Sequence, residues 1–217
     1  MIKLFENILD IIYPKSCGLC GGLLDFGSGN VLCKDCNRRL EKADFPFKSS
    51  SGGISLFPYS GEIRKRIIEL KYDGRTELCS LFGFLMAEAF KKSGLTADFD
   101  EVLAVPASKK GFKARGYNQA ELMAQEVGRY LNIPTGSELV RIKETLPQNK
   151  LDQSKRAENI KGAFGVTGDL RNKKILLIDD IYTTGSTINE CKRTLMSAGA
   201  ESIFYITAAK TVLHNDN

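Results

Sequence analysis

A chain of 217 residues, 42% hydrophobic and 26% charged, has room for one domain of ordinary size plus a small appendage and has the balance of a soluble globular protein. No apolar run approaches the roughly 18 residues needed to cross a bilayer, which sets aside a membrane-spanning helix. The formal charge of +5 is mild and does not by itself announce a nucleic-acid binder.

Near the start, Ile2, Leu4, Phe5, Ile8, Leu9, Ile11 and Ile12 are apolar around Glu6, Asn7 and Asp10, the spacing of an amphipathic helix. No signal-peptide cleavage pattern follows, and the polar face lacks basic residues. Packing on the body is the expected role. The expected location is cytoplasmic, with peripheral attachment to the inner face of the membrane left open.

Cys17-Gly18-Leu19-Cys20 and Cys33-Lys34-Asp35-Cys36 come next, with 12 residues between the pairs. Each pair can form a knuckle that points two sulfurs at one metal, and four thiolates in a tetrahedron suit structural Zn²⁺ with no open coordination position. Two disulfides are the alternative, disfavoured in a cytoplasmic chain. A redox pair is disfavoured too, because such motifs come singly on a strand-to-helix turn. Four thiolates and one Zn²⁺ would lower the formal charge to +3. Cys79 and Cys191 fall in apolar helical patterns and read as buried thiols.

Lys48–Gly53 reads as a turn or linker, dividing a module at 1–48 from a domain at 54–217. Within that domain, residues 54–57 read as a strand, 63–72 and 76–93 as helices, 102–105 as a strand and 116–131 as a helix. Residues 175–178, 187–197 and 202–207 follow as strand, helix, strand. This alternation predicts an α/β fold with a mostly parallel sheet, whose ligands bind at the carboxyl ends of the strands.

Between the 102–105 strand and the helix lies Pro106-Ala107-Ser108-Lys109-Lys110-Gly111-Phe112-Lys113-Ala114-Arg115-Gly116-Tyr117-Asn118-Gln119. Small residues, four cations and two glycines after a strand suit a pyrophosphate; a solvated basic loop is the plainer reading. The cations Lys110, Lys113 and Arg115, interleaved with Phe112 and followed by Tyr117, also have the makeup of a single-strand site, where bases stack and phosphates pair.

The most informative stretch is Lys173-Lys174-Ile175-Leu176-Leu177-Ile178-Asp179-Asp180-Ile181-Tyr182-Thr183-Thr184-Gly185-Ser186-Thr187. A doubly buried strand runs into two acids and then into hydroxyls around a glycine that can open a helix. A helix start attracts an anion, while carboxylates suit hydroxyls or a divalent cation. A ribose 5-phosphate carries both chemistries. The bland alternative is a strand-turn-helix with ordinary capping.

This stretch resembles the PRPP (5-phosphoribosyl 1-pyrophosphate) signature of type I phosphoribosyltransferases. The four cysteines, Leu70-Lys71-Tyr72-x-Gly74, Arg115-Gly116-Tyr117-Asn118-Gln119, Gln148-x-x-Leu151 and Arg156-x-x-Asn159-x-x-Gly162-Ala163-Phe164 stand in the order seen in the ComF family. Tyr117 stands where that family often has Phe.

The resemblance implies a type I phosphoribosyltransferase-like fold, flanked by helices, with a small four-cysteine zinc module. It implies that Asp179 and Asp180 hold the ribose diol, directly or through Mg²⁺. Thr183, Thr184, Gly185, Ser186 and Thr187 would hold the 5-phosphate; Ser108, Lys109, Arg115 and Lys71 are candidates for the pyrophosphate. Residues 143–164 would be the flap over the site, or a plain surface connection. The only histidine, His214, lies in a polar tail and reads as inert.

Competence members of that family help bring transforming single-stranded DNA into the cell. PRPP and single-stranded DNA are therefore the expected partners, with a DNA-uptake helicase or other competence proteins beside them. A phosphoribosyltransferase with an unknown base or amide acceptor is the alternative.

Overall fold

The computed structural model describes residues 16–25, 31–42, 47–49, 52–94, 98–145 and 153–212. The amphipathic stretch 2–12, His214 and the middle of the 143–164 segment lie outside them. Helix α1 (Lys34–Lys42) begins inside the second cysteine pair, and β1 (Phe47–Ser49) and β2 (Gly53–Pro58) follow. Then come α2 (Gly61–Tyr72), α3 (Glu77–Lys92), β3 (Glu101–Ala104), α4 (Lys109–Arg115) and α5 (Gln119–Leu131). The chain continues through β4 (Leu139–Arg141), α6 (Gln153–Ile160), β5 (Phe164–Val166), β6 (Lys174–Tyr182), α7 (Ser186–Ser197) and β7 (Ser202–Lys210).

Five strands form the main sheet in the order β1-β2-β7-β6-β3, parallel throughout except for β1 at one edge. The apolar run of β6 explains its central place. Leu176 and Ile178 face the layer of α2, α3 and α5, whereas Ile175 and Leu177 face the layer of α7, β4 and β5; all four are fully buried. A strand covered on both faces cannot alternate apolar with polar residues. Each buried Leu contributes about 1.5–3 kcal/mol, so this short run anchors both layers.

The lengths of β3 and β6 set the position of the candidate site. β3 pairs with β6 only from Glu101↔Ile175 to Ala104↔Ile178, and Val105 N–H makes the last bond, to Ile178 O at 2.9 Å. β6 runs on to Tyr182, still paired with β7. Asp179 and Asp180 therefore stand where the sheet has lost one neighbour, at the carboxyl end of its central strand.

Four local expectations are revised. Lys48 and Ser49, read as turn or linker, pair antiparallel with Ile54 and Gly53. The basic loop is partly helical: Ser108 caps α4 by accepting from Gly111 N–H at 3.0 Å, and Lys and Arg extend that helix readily. Gly116 does not open the next helix. It ends α4 with φ 81°, and Asn118 caps α5 by accepting from Ala120 N–H. Finally, the 143–164 segment springs from an antiparallel β4–β5 ribbon and contains α6.

Candidate phosphate and sugar site

Successive side chains on a strand take opposite faces. Asp180 accordingly belongs to the layer of α2 and α5, where its Oδ2 lies 2.5 Å from Lys71 Nζ and accepts from Gln119 Nε2 at 3.0 Å. Burial works against its charge, yet Lys71 and Gln119 hold its carboxyl below the usual carboxylate range. Lys71 shows the mirror effect: burial opposes its charge, but Asp180 raises its basicity.

Asp179 shares its face with Leu177, in the layer of Phe164 and Cys191. Its Oδ1 accepts from Asp180 N–H at 2.8 Å. Burial and the Asp180 charge push its carboxyl well above the ordinary value. Two adjacent carboxyls thus differ: Lys71 favours the ionised form of Asp180, whereas burial and the Asp180 charge disfavour that of Asp179.

The hydroxyl loop follows directly. Gly185 has φ 79° and packs on the Tyr182 ring so closely that no Cβ would fit there. Tyr182 in turn stacks on buried Tyr205, with centroids 5.4 Å apart and an 11° interplanar angle. Thr184 Oγ1 and Ser186 Oγ share a hydrogen bond of 2.9 Å. The α7 ladder starts with Asn189 N–H donating to Gly185 O; the N-cap Gly185 offers no side chain, and Ser186 N–H reaches only Thr184 Oγ1, at 3.5 Å. A first turn so arranged directs N–H groups and a positive dipole end at the loop. Thr183 is exposed and Thr187 half-buried beside it.

In α4, Arg115 folds back on its own helix. A Cβ on Gly111 would come within 2.7 Å of Arg115 Nη2 and 3.0 Å of Ser108 Oγ, so that glycine lets the arginine approach Ser108. Among the described residues, Arg115 Nε is buried without an acceptor. Lys109 N–H donates to the exposed Glu144 carboxylate at 2.9 Å. The pyrophosphate candidates Ser108, Lys109 and Arg115 therefore share one short helix, whereas Lys71 sits with Asp180.

The residues read for DNA divide in two. Lys110 and Lys113 are exposed, and Phe112 is 49% exposed on the same helix. Tyr117 instead packs partly buried against the core and donates its hydroxyl to Leu70 O.

Two contacts of the candidate residues had no counterpart in the sequence reading: Gln119 with Asp180, and Glu144 with Lys109. Gln119 was visible within its motif but not as a partner of Asp180. Glu144 had no local signal, because the β4–β5 ribbon that places it was not foreseen. Buried Cys79, its thiol pushed up to about 12 by burial and by Asp180, is no nucleophile.

Beyond the sheet, the sulfurs of Cys17, Cys20, Cys33 and Cys36 all lie within 4.8 Å of one another, with Cys20 and Cys33 at 3.8 Å. A tetrahedral ion with bonds of about 2.3 Å spaces its sulfurs by about 3.8 Å. Gly22 and Cys36 N–H groups donate to Cys20 and Cys33 Sγ, each at 3.4 Å, as thiolate acceptors require. The four cysteines fit a structural metal. The cluster is held to the body by Arg66 of α2, whose Nε donates to Leu19 O at 2.8 Å.

Residues 115–212 match the phosphoribosyl transferase domain family, in accord with the parallel sheet and helix layers. The chain is 32% identical to competence protein ComFC of Streptococcus pneumoniae, over 80% of this chain and 73% of that protein. It is 29% identical to competence protein F of Haemophilus influenzae, covering 86% and 81%. It is also 29% identical to DNA utilization protein YhgH of Escherichia coli, covering 77% and 74%.

Proposed function

This chain belongs to the ComF family of competence proteins, and on that premise we propose that it binds PRPP with Mg²⁺ and holds single-stranded DNA during uptake of transforming DNA. The observation that carries the first half is the convergence at the end of β6. Asp179 and Asp180 stand where β3 has ended, Lys71 and Gln119 engage Asp180, and the glycine-hydroxyl loop opens α7 a few residues on. A diol, a 5-phosphate and a pyrophosphate match the acids, the loop and the Ser108–Arg115 helix in turn. Mg²⁺ would sit with the ligand against Asp179 and Asp180, supplying positive charge between carboxylates and phosphates.

The second half rests on α4, where exposed Lys110, Phe112 and Lys113 offer charge and a stacking face on one helix. The names of two relatives speak of competence and one of DNA utilization, which agrees with this use. The four cysteines hold Zn²⁺ as a structural ion in this reading.

Isothermal calorimetry in Mg²⁺ tests the sugar-phosphate site. Wild-type protein binds PRPP, and Asp179→Asn/Asp180→Asn loses most of the affinity, because the amides keep hydrogen bonds but not charge. Equal affinity in the double variant would show that these acids do not form the site. Robust PRPP-dependent transfer to a free base, with no DNA binding, would make the chain a transferase instead.

A further inference from the structure

Lys210 closes β7 between two neighbours, paired with Pro58 of β2 on one side and with Tyr182 of β6 on the other. Its backbone is fixed from both directions: Tyr59 N–H donates to Lys210 O at 2.8 Å, and Thr211 N–H donates to Tyr182 O at 2.9 Å. That Tyr182 carbonyl belongs to the peptide leading into Thr183, the first residue of the hydroxyl loop. Neighbouring strands run about 4.8 Å apart, so the Lys210 backbone abuts the base of the loop, within the span of a lysine side chain.

The side chain lies on the loop's face of the sheet. Tyr182 packs against the cluster that holds Ile188, Cys191 and Leu195 of α7, and half-buried Lys210 places its Nζ over the Tyr182 ring, 5.8 Å from the centroid. The hydroxyl end of the same ring packs on Gly185. One aromatic ring thus underlies both the loop glycine and the lysine. A contact with a ring face uses the ammonium charge but none of its three N–H donors, which stay available to an anion.

The strand order gives the direction of a bound ligand. β3 and β7 flank β6 on opposite sides, and the basic helix α4 follows β3. PRPP carries its pyrophosphate and its 5-phosphate at opposite ends of one ribose. With the ribose over the acids that end β6 and the pyrophosphate towards α4, the 5-phosphate falls on the β7 side. Residues Thr183–Thr187 supply hydroxyls and N–H groups there but no charged side chain, whereas a phosphate monoester brings a charge of about −1.5 to −2 at neutral pH.

We propose that Lys210 binds the 5-phosphate of the sugar phosphate, adding from β7 the positive charge that the hydroxyl loop lacks. The inference rests on the PRPP reading and deepens it, since it names a further ligand-binding residue outside the loop.

The test is Lys210→Gln, read by calorimetry against PRPP and ribose 5-phosphate in Mg²⁺ and by thermal melting without ligand. Affinity for both ligands falls about tenfold, as for loss of one hydrogen bond to a charged group, and the ligand-free melting temperature is unchanged. The fall of ribose 5-phosphate affinity with added salt becomes shallower in the variant, because one screened charge contact is gone. Unchanged affinities, or a salt dependence equal to that of wild type, overturn the inference alone. So does a loss of affinity that comes with a lower melting temperature, which marks a structural role. A wild-type chain that binds neither ligand overturns the inference together with the reading beneath it.

Discussion

Lys71 at the end of α2 and Asp180 near the end of β6 form an ion pair of 2.5 Å that is largely shut off from solvent, with side-chain exposures of 20% and 8%. In the free protein the lysine does for Asp180 what a bound cation would do, and it keeps one acid ionised at the mouth of the site. Removing one member leaves the other uncompensated. Lys71→Met is expected to cost about 3–5 kcal/mol in urea denaturation. Lys71→Met/Asp180→Asn is expected to recover much of that loss, because neither partner then carries charge. A double variant as unstable as the single one would show that the pair acts through packing.

Asp179 behaves in the opposite way. Burial and Asp180 raise its carboxyl well above the usual value, so the folded state holds its proton at pH values where the unfolded chain has released it. The folded state then binds more protons, and stability falls as pH rises from the ordinary carboxylate range towards the raised value. Asp179→Asn is expected to melt higher than wild type at neutral pH without ligand, and to lose that advantage below about pH 4. Melting curves across that range check the sign. A variant less stable at neutral pH would mean that the charged form is welcome there.

Metal content follows from the cysteine geometry. Purified protein is expected to carry one Zn²⁺ per chain, and Cys17→Ala/Cys33→Ala to carry none, by elemental analysis. Cys79→Ala and Cys191→Ala keep the ion, since both thiols are buried in the core away from the cluster. Chelation is expected to lower the melting temperature, because Cys17, Leu19, Leu32 and Cys36 share a core with Ile54, Leu78 and Leu81.

The helix proposed to meet pyrophosphate also presents Lys110 and Lys113 to solvent. Single-stranded DNA is expected to bind with an affinity that falls as salt rises, through release of counter-ions from phosphates. Lys110→Ala/Lys113→Ala flattens that salt slope and weakens DNA binding, but spares PRPP. Phe112→Ala weakens it further by removing about 1–3 kcal/mol of base stacking. An interaction indifferent to salt would rule out this surface.

The central strand and its two acids were legible because their pattern is local. Four apolar residues, two carboxylates and a hydroxyl-glycine loop are contiguous in sequence, and the cysteine pairs declare themselves by spacing. What escaped was set by distant pairing or by single caps. Ser108 turns a basic loop into α4 with one side-chain hydrogen bond, and Gly116 stops it two residues before Asn118 starts another helix. Glu144 was invisible because three-residue strands, such as Leu139–Arg141 and Phe164–Val166, are too short to show periodicity. The differing partners of Asp179 and Asp180 arise from strand alternation plus the early end of β3, which no window of sequence displays.

Helix α2 joins two chemistries that are far apart in the chain. Arg66 grips the cysteine knuckle through Leu19 O, and Lys71, five residues later, grips Asp180. A helix fastened at its middle and at its carboxyl end would make the two grips thermodynamically reciprocal: whatever favours one orientation of the helix would favour both fastenings. Loss of the ion would thus slacken the ligand's acid, and a resident ligand would slow escape of the ion. On the proposed function, the cysteine knuckle would then serve as a remote tether for chemistry it never touches.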